Sequence, residues 1–538
     1  MECRFPIIVA RWNAAACSGN HLGAGGGRGI LRDLHTTCAV IAQLRGARIW
    51  PLPRSAKVDR TVHLPGVASN DDGSALISGD MPHLLAPWLP SPSQHFLVVT
   101  FALLVYVLTT RARREQRAPT TAIAWVMGLL LLPYVALPMY LLFGQRKLRP
   151  AGLPRPPRSL PAGHWAAELI ESFGLPPPGR CMPRFHADGA AARDALWQVI
   201  DAARVRLDIC TFIIGDDALG HEVVVRLARR AREGVRVRVL LDGFGALTLP
   251  PHHFDALRAA GGRIAVFRPF FGLRRSGPRN LRNHRKFVIA DDTRLWSGGR
   301  NLAGEYFTGN EAYPVPWLDL SFDLQGSVAE AAARQFEHDW CSVRHGPERE
   351  IAPAHDTPDD GSLAQFLPSG PDQTEDTAHA LLIDACFRAD HRILAVTPYF
   401  VPDDGLRNAL RLAARRGVQV TIAIPSRSNH RLADFVRARA MRDLAGAGVS
   451  FRMLPFMAHA KAVVVDEELA MCGSINLDLR SLLLNHEAAV VFYGRSAIEW
   501  LAQWIETTAS AGEPYRARRP GLVRDLAEGL LLTVAFQL

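Results

Sequence analysis

The chain lacks a cysteine pattern that would build a disulfide or zinc framework. Its eight cysteines, spread over 538 residues, form no CxxC pair and no Cys/His zinc spacing. Scattered in this way, they read as buried thiols. Acidic residues are in deficit: 52 Asp and Glu face 62 Lys and Arg, giving a net charge of +10. Such a chain suits an anionic partner, whether nucleic acid, anionic lipid or a phosphorylated ligand, and charge alone does not choose between them. Charge is missing altogether from two stretches, 96–110 and 121–143. No basic segment precedes the first and a second apolar run follows it, which argues against a cleaved signal peptide.

These two stretches predict a membrane hairpin within residues 81–149. The second is long enough to cross a bilayer, for which a helix needs about 20 apolar residues. The first is short for a span unless the run from Leu84 contributes. Arg111, Arg113, Arg114 and Arg117 lie between the runs, and Arg146, Lys147, Arg149, Arg155 and Arg158 follow them. The bias toward basic cytoplasmic loops then leans to a multi-pass membrane protein with the larger part of the chain, after the second run, in the cytoplasm. Residues 1–80, Gly- and Arg-rich and without periodicity, read as a disordered leader or as sequence upstream of a true start near Met81. Residues 150–161 read as a stiff Pro-rich linker.

A chain of this length is expected to hold more than one core, and an internal repeat supplies them. The stretch LWQVIDAARVRLDICTFIIGDDALGHEVVVRLARRAREGVRVRVLLD in the first half parallels LLIDACFRADHRILAVTPYFVPDDGLRNALRLAARRGVQVTIAIP in the second. Both read helix, buried strand, turn, basic amphipathic helix, strand, with the amphipathic helix ending at Gly234 or Gly417. Two domains follow, 162–365 and 366–517, with an amphipathic tail at 518–538 that either lies on the membrane or completes the second core.

Each half then carries the same motif at identical spacing: His284, Lys286, Asp291, Gly298, Gly299, Asn301 and His459, Lys461, Asp466, Gly473, Ser474, Asn476. Phe287–Ala290 and Ala462–Val465 read as strands, so each His and Lys share one face and can approach one phosphate. The glycine turns bring Asn301 and Asn476 back beside them. Asp291 and Asp466, at the far strand ends, either brace the loop or reach substrate. His252 and His253 read as surface residues, and Cys472 as core.

These paired motifs resemble those of the phospholipase D superfamily over nearly everything from Ala162 to about Ala517. The resemblance implies an α/β fold of two tandem phospholipase D-like α/β/α sandwich domains that form one composite active site, preceded by the transmembrane hairpin. It implies that one His is the nucleophile and the other a general acid and base. Lys286, Lys461, Asn301, Asn476 and Ser474 would hold the non-bridging oxygens, while Asp319 and Glu487 would orient the imidazoles. No metal and no cofactor is implied, because lysine supplies the positive charge.

Within that superfamily, APTTAIAWVMGLLLLPYVALPMYLLFGQRK, RNHRKFVIADD, SGGRNLAGEYF, TPYFVPDDGL and HAKAVVVDEELAMCGSINLDLRSLLLNHE are similar to segments of the bacterial cardiolipin synthases. The stretch DGFGALTLPP departs from the more usual acidic-glycine-serine turn. The implied reaction joins two phosphatidylglycerol molecules into cardiolipin and glycerol at a membrane, with no nucleic-acid partner. Its first step is assigned to His284, although the symmetry permits the reverse. A phospholipase D hydrolase that releases phosphatidic acid, or a nuclease, is the alternative. Arg274, Arg275, Arg279 and Arg282, in a stretch without an acid, would grip anionic headgroups at the site entrance, or would simply be a solvated basic loop.

Overall fold

A computed structural model describes residues 91–113, 119–144, 146–148, 163–269, 280–351 and 362–532. The expected leader and Pro-rich linker lie outside these residues. The two halves build two sheets. The first has seven strands in the spatial order Arg184–His186, Ser321–Gln325, Arg294–Gly298, Phe287–Ala290, Arg206–Thr211, Arg236–Asp242, Arg263–Phe267. Seven inner strands of the second repeat that order: Leu363–Ser369, Glu487–Phe492, Leu469–Gly473, Ala462–Val465, Arg392–Val396, Gln419–Pro425, Ser450–Leu454. In both, the last three strands are mutually parallel and the remaining pairings antiparallel. The duplication is therefore one of strand order and direction as well as of motif.

The parallel strands are joined by the amphipathic helices Ala218–Arg232 and Asp404–Arg415. The turns after them pass through Gly234 at φ +90° and Gly417 at φ +99°, a left-handed conformation in which glycine meets no Cβ clash. Helices cover both faces of each sheet. Leu196, Val199, Val223 and Leu227 close the outer face of the first sheet over Leu207, Ile209, Val239 and Val288. The inner faces share one core with the helices Ser327–Arg344 and Arg495–Ser510. There Phe287 and Phe322 meet Phe366 and Phe492, with Phe322 and Phe492 edge to face at 5.5 Å. Burial on both faces explains the nearly continuous apolar runs of these strands.

The halves are not divided where the repeat suggests. Gly179 and Arg180 pair with Ala364 and Leu363 at the edge of the second sheet, and Ala166 and Ile170 of helix Trp165–Ser172 lie in the second half's outer core. An expected boundary between 365 and 366 would cut the strand Leu363–Ser369, which pairs along its length with Glu487–Phe492. The physical reason is that this edge needs both a partner strand and a covering helix, and the chain supplies them from the segment that precedes the first sheet.

The apolar segments also depart from expectation. The first forms one helix, Pro92–Arg113, of 22 residues, longer than the run 96–110 predicts. Its candidate membrane-crossing part is Pro92–Arg111. The second breaks at Leu132 into Pro119–Leu131 and Pro133–Phe143, because Pro133 has no N–H to continue the helix. The three helices pack around Tyr140, whose ring lies 5.2 Å from Tyr106 and 5.3 Å from Trp125. The tail forms helix Leu522–Leu532 and docks on helix Arg431–Ala445 through Glu528 and Arg442, leaving Leu522, Val523 and Leu526 exposed.

Candidate active site

The site lies where the halves exchange backbone hydrogen bonds. His284 N–H donates to the His486 carbonyl and His486 N–H to that of Arg282, both at 2.8 Å. In the mirror arrangement, His459 N–H donates to the Leu318 carbonyl at 2.6 Å, and Leu318 N–H to that of Met457 at 2.9 Å. Each motif His is thereby set beside the strand of the opposite half. His284 Nδ1 lies 3.0 Å from the Glu487 carboxylate, and His459 Nδ1 lies 2.7 Å from Asp319. Each carboxylate stands on the half opposite its histidine, so neither half holds a complete His–carboxylate pair.

With Nδ1 facing a carboxylate, each ring leaves Nε2 for chemistry. Phe212 stands edge-on to His284 at 4.8 Å, and Tyr306 edge-on to His459 at 4.9 Å. The lysines share the site: Lys286 Nζ donates to the His284 carbonyl at 2.8 Å, and Lys461 Nζ lies 3.0 Å from His459 Nε2.

Burial dominates the electrostatics. It works to raise Asp319 and Glu487, but their imidazole partners and the lysines outweigh it and hold both acids below the ordinary carboxylate range. Burial, with a lysine nearby, pulls His284 down to about 4 and His459 to about 3. Burial likewise pulls Lys286 down to about 7 and Lys461 to about 8. The resting arrangement is thus ionised carboxylate and neutral imidazole, with the lysines poised near neutrality. The negative charge of an arriving phosphodiester favours protonated lysine and imidazolium.

Other motif members take different places. Asp291 does not join the site. It sits at φ +53° beyond its strand and accepts from the N–H groups of Arg204, Val205 and Arg206 at 2.9, 2.8 and 2.8 Å. Asp466, at φ +48°, does the same for Asp390, His391 and Arg392 at 2.8, 3.0 and 2.6 Å. A four-residue strand, spanning about 13 Å, separates each from its Lys, so both braces replace the catalytic placement that the motif suggests. Asn301 and Asn476 are buried, each with a side-chain oxygen that has no hydrogen-bond partner among the described residues.

Ser474, expected at the phosphate, turns its hydroxyl to the acid. Its hydroxyl donates to Glu487 and accepts from Ala488 N–H at 3.0 Å. The equivalent Gly299 cannot carry a side chain, because a Cβ there would stand 2.2 Å from Asp319 Oδ1. The Gly-Gly and Gly-Ser turns therefore differ because one acid is packed by a hydroxyl and the other by backbone alone.

Two further arginines hold the site, and their place inside or beside the motif is the only sequence signal for them. Arg285, between His284 and Lys286, is fully buried. It reaches Asp339 at 2.6 and 2.8 Å, Asp372 at 3.0 and 2.9 Å, and the Glu487 carbonyl at 3.0 Å. His486, next to Glu487, also contacts Asp372, at 3.1 Å. The residue after His284 therefore pins the backbone of that histidine's partner acid. The equivalent positions in the other half are Ala460 and Leu318, so only His284 has this charged support. Arg300, beside Asn301, donates to the carbonyls of Tyr306, Ala187 and His186 at 2.8, 2.8 and 3.0 Å.

Arg282 is not at an open entrance: it is buried and paired with Asp242 at 2.9 Å, holding the turn before His284. Burial of a guanidinium requires such a partner. Arg274, Arg275 and Arg279 lie outside the described residues.

The segment after the apolar helices docks close by. Lys147 donates to the carbonyls of Gly370, Gln373 and Glu375 at 3.2, 3.1 and 3.0 Å, and pairs with Asp376 at 2.9 Å. Leu148 N–H donates to Pro371 at 2.9 Å. Asn280 reaches the carbonyl of Phe143, the last residue of the third apolar helix, at 3.3 Å.

Comparison with known proteins bears on this arrangement. The family described as "Cardiolipin synthase, PLD-like domain" matches residues 196–340 and 382–508, and "Phospholipase_D-nuclease N-terminal" matches 98–145. Cardiolipin synthase A of Pseudomonas entomophila is 33% identical over 440 residues, covering 77% of this chain and 91% of that one. Cardiolipin synthase A of Pseudomonas putida KT2440 is 34% identical over 439 residues, covering 76% and 90%. Among solved structures, the phosphatidylserine synthase of Haemophilus influenzae aligns with a TM-score of 0.54 at 14% identity, covering 69% of this chain and 100% of that one, a likeness of fold.

Proposed function

The chain belongs to the cardiolipin synthase family of PLD-like proteins, and from that premise we propose how its residues carry out phosphatidyl transfer. It is a phosphatidyltransferase that makes cardiolipin and glycerol from two phosphatidylglycerol molecules. His284 Nε2 attacks the phosphorus of the first lipid, and the bond from phosphorus to the glycerol headgroup oxygen breaks. His459, as imidazolium, gives that oxygen its proton and glycerol leaves. The phosphatidyl group is then held on His284 through a P–N bond. A second phosphatidylglycerol offers its headgroup hydroxyl, His459 takes the proton, and the oxygen attacks phosphorus as the P–N bond breaks. Cardiolipin departs with both histidines restored.

Lys286, Lys461, Asn301 and Asn476 stabilise the non-bridging oxygens as charge develops. Glu487 and Asp319 hold the ring tautomers and offset each imidazolium charge. The single observation that carries the reading is the pair of exchanged His–carboxylate contacts, at 3.0 and 2.7 Å, around two lysines. The nucleophile is assigned to His284 because its side chain is the more open, 12% exposed against 5% for His459, and because Arg285 fixes its partner acid. We read the protein as a multi-pass protein of the bacterial inner membrane with its catalytic halves in the cytoplasm, a reading supported by the apolar helices and the basic residues that flank them.

The test is to incubate the purified enzyme with labelled phosphatidylglycerol and identify the lipid products. Cardiolipin and free glycerol are expected from the wild type, and neither from His284→Ala or His459→Ala. Phosphatidic acid as the main product, or transfer surviving in either variant, would overturn the reading.

A further inference from the structure

His253 reads from the sequence as a surface residue, yet its side chain is fully enclosed. Among the described residues neither ring nitrogen has a hydrogen-bond partner. A buried imidazole with both nitrogens unpaired is costly. Its Nδ1 points at Asp216 Oδ1, 3.6 Å away, and that same oxygen lies 3.0 Å from His221 Nε2. The ligand atoms of the three residues all lie within 4.8 Å of one another.

Zinc bonds to His nitrogen and carboxylate oxygen at about 2.1 Å, which sets tetrahedral ligand atoms on the order of 3.4 Å apart. Two of the cluster's contacts, at 3.0 and 3.6 Å, are close to that spacing, and the third lies within 4.8 Å. We propose that Asp216, His221 and His253 form a binding site for one zinc-class divalent cation.

Two points support this. Asp216 and His221 are about half exposed, giving the ion a path from solvent and leaving a coordination position for water. The ion pairs that Asp216 makes among the described residues are with these two histidines alone, so no resident cation neutralises the cluster. The contrast is Asp339, Asp372 and His486, a buried trio of similar spacing in which the Arg285 guanidinium already takes both carboxylates.

The ion would join two loops. Asp216 precedes helix Ala218–Arg232, His221 lies in that helix's first turn, and His253 lies in the turn before helix Asp255–Ala259. The neighbouring Asp217 accepts from Gly304 N–H at 2.7 Å, which links the first loop to the segment following Asn301. The stretch between strand Arg236–Asp242 and His253 is the one that departs from the family's usual turn. The ion is a brace and takes no part in phosphoryl transfer.

The experiment uses the untagged full-length chain in detergent, stripped with EDTA and freed of chelator, then titrated with cobalt(II) chloride and followed by its visible absorption. The wild type is expected to take up one ion per chain with tetrahedral bands that zinc displaces. His221→Ala and His253→Ala should each weaken uptake at least as much as the roughly 10–100-fold that loss of an outer-shell partner costs. His252→Ala, an exposed neighbour, should leave uptake unchanged. His221 is on the surface, so its variant decides the matter even if His253→Ala fails to fold. No uptake by the wild type, or equal uptake by His221→Ala, would overturn the site.

Discussion

At the scale of the residue, the active site turns on how burial divides protons among four basic groups. Lys286 at about 7 and Lys461 at about 8 lose their protons as pH rises through those values, and the positive charge that holds phosphate goes with them. Lipid binding would draw on that charge, so KM is expected to rise above pH 7 to 8. Ordinary lysines would keep it level to about pH 10. His284 and His459, pulled to about 4 and about 3, are both neutral in the free enzyme over that range, so in the proposed reaction His459 takes up its proton as the phosphodiester arrives. A pH profile of KM checks the lysines, and a level KM to pH 10 would contradict their assignment. Arg285 gives a second expectation. Arg285→Met strips the guanidinium from the buried Asp339 and Asp372 and leaves them to His486 and to the neutral amides of Asn283, Gln335 and Gln373, a loss of about 3–5 kcal/mol. Arg285→Lys is not expected to restore it, since one ammonium cannot match the five fixed donors of a guanidinium. Thermal unfolding in detergent measures both.

At the scale of the element, the motif aspartates act on strand geometry. Asp291 ties down three successive N–H groups where the strand Arg206–Thr211 begins. It holds φ +53°, which costs a non-glycine residue roughly 1–2 kcal/mol. Asp291→Ala is expected to destabilise the first half by about 2–4 kcal/mol through the loss of three hydrogen bonds to a charged acceptor, while molecules that remain folded keep their turnover. Activity normalised to the folded fraction separates the two. Loss of turnover in fully folded enzyme would return Asp291 to the catalytic set. The motif spacing alone could not decide this, because the residue's task depends on which chain end lies against it.

At the scale of the whole molecule, the two halves and the apolar helices form one working unit. The loop Gly370–Asp376 is clamped by Lys147 on one side and, through Asp372, grips Arg285 and His486 on the other. Lys147→Ala is expected to lower transfer several-fold while membrane association is kept. Flotation of membranes alongside an activity assay tests this, and parallel loss of both would make Lys147 an anchor residue only.

Much of the protein was legible in its amino acids. The repeated spacing of His, Lys, Asp and Asn, the strands after each His-x-Lys and the glycine helix ends are local patterns, written in side-chain periodicity and backbone freedom. They yielded the duplicated α/β halves, the two histidines and their candidate acids. What only the tertiary structure decided is non-local. Asp319 serves His459 and Glu487 serves His284 because the halves exchange backbone hydrogen bonds. Residues 165–181 join the second half because that sheet's edge needs a partner. Arg282 is buried and Asp291 is a brace because of what packs around them. Periodicity describes a segment's own faces, whereas pairing across an interface depends on which distant segment arrives there.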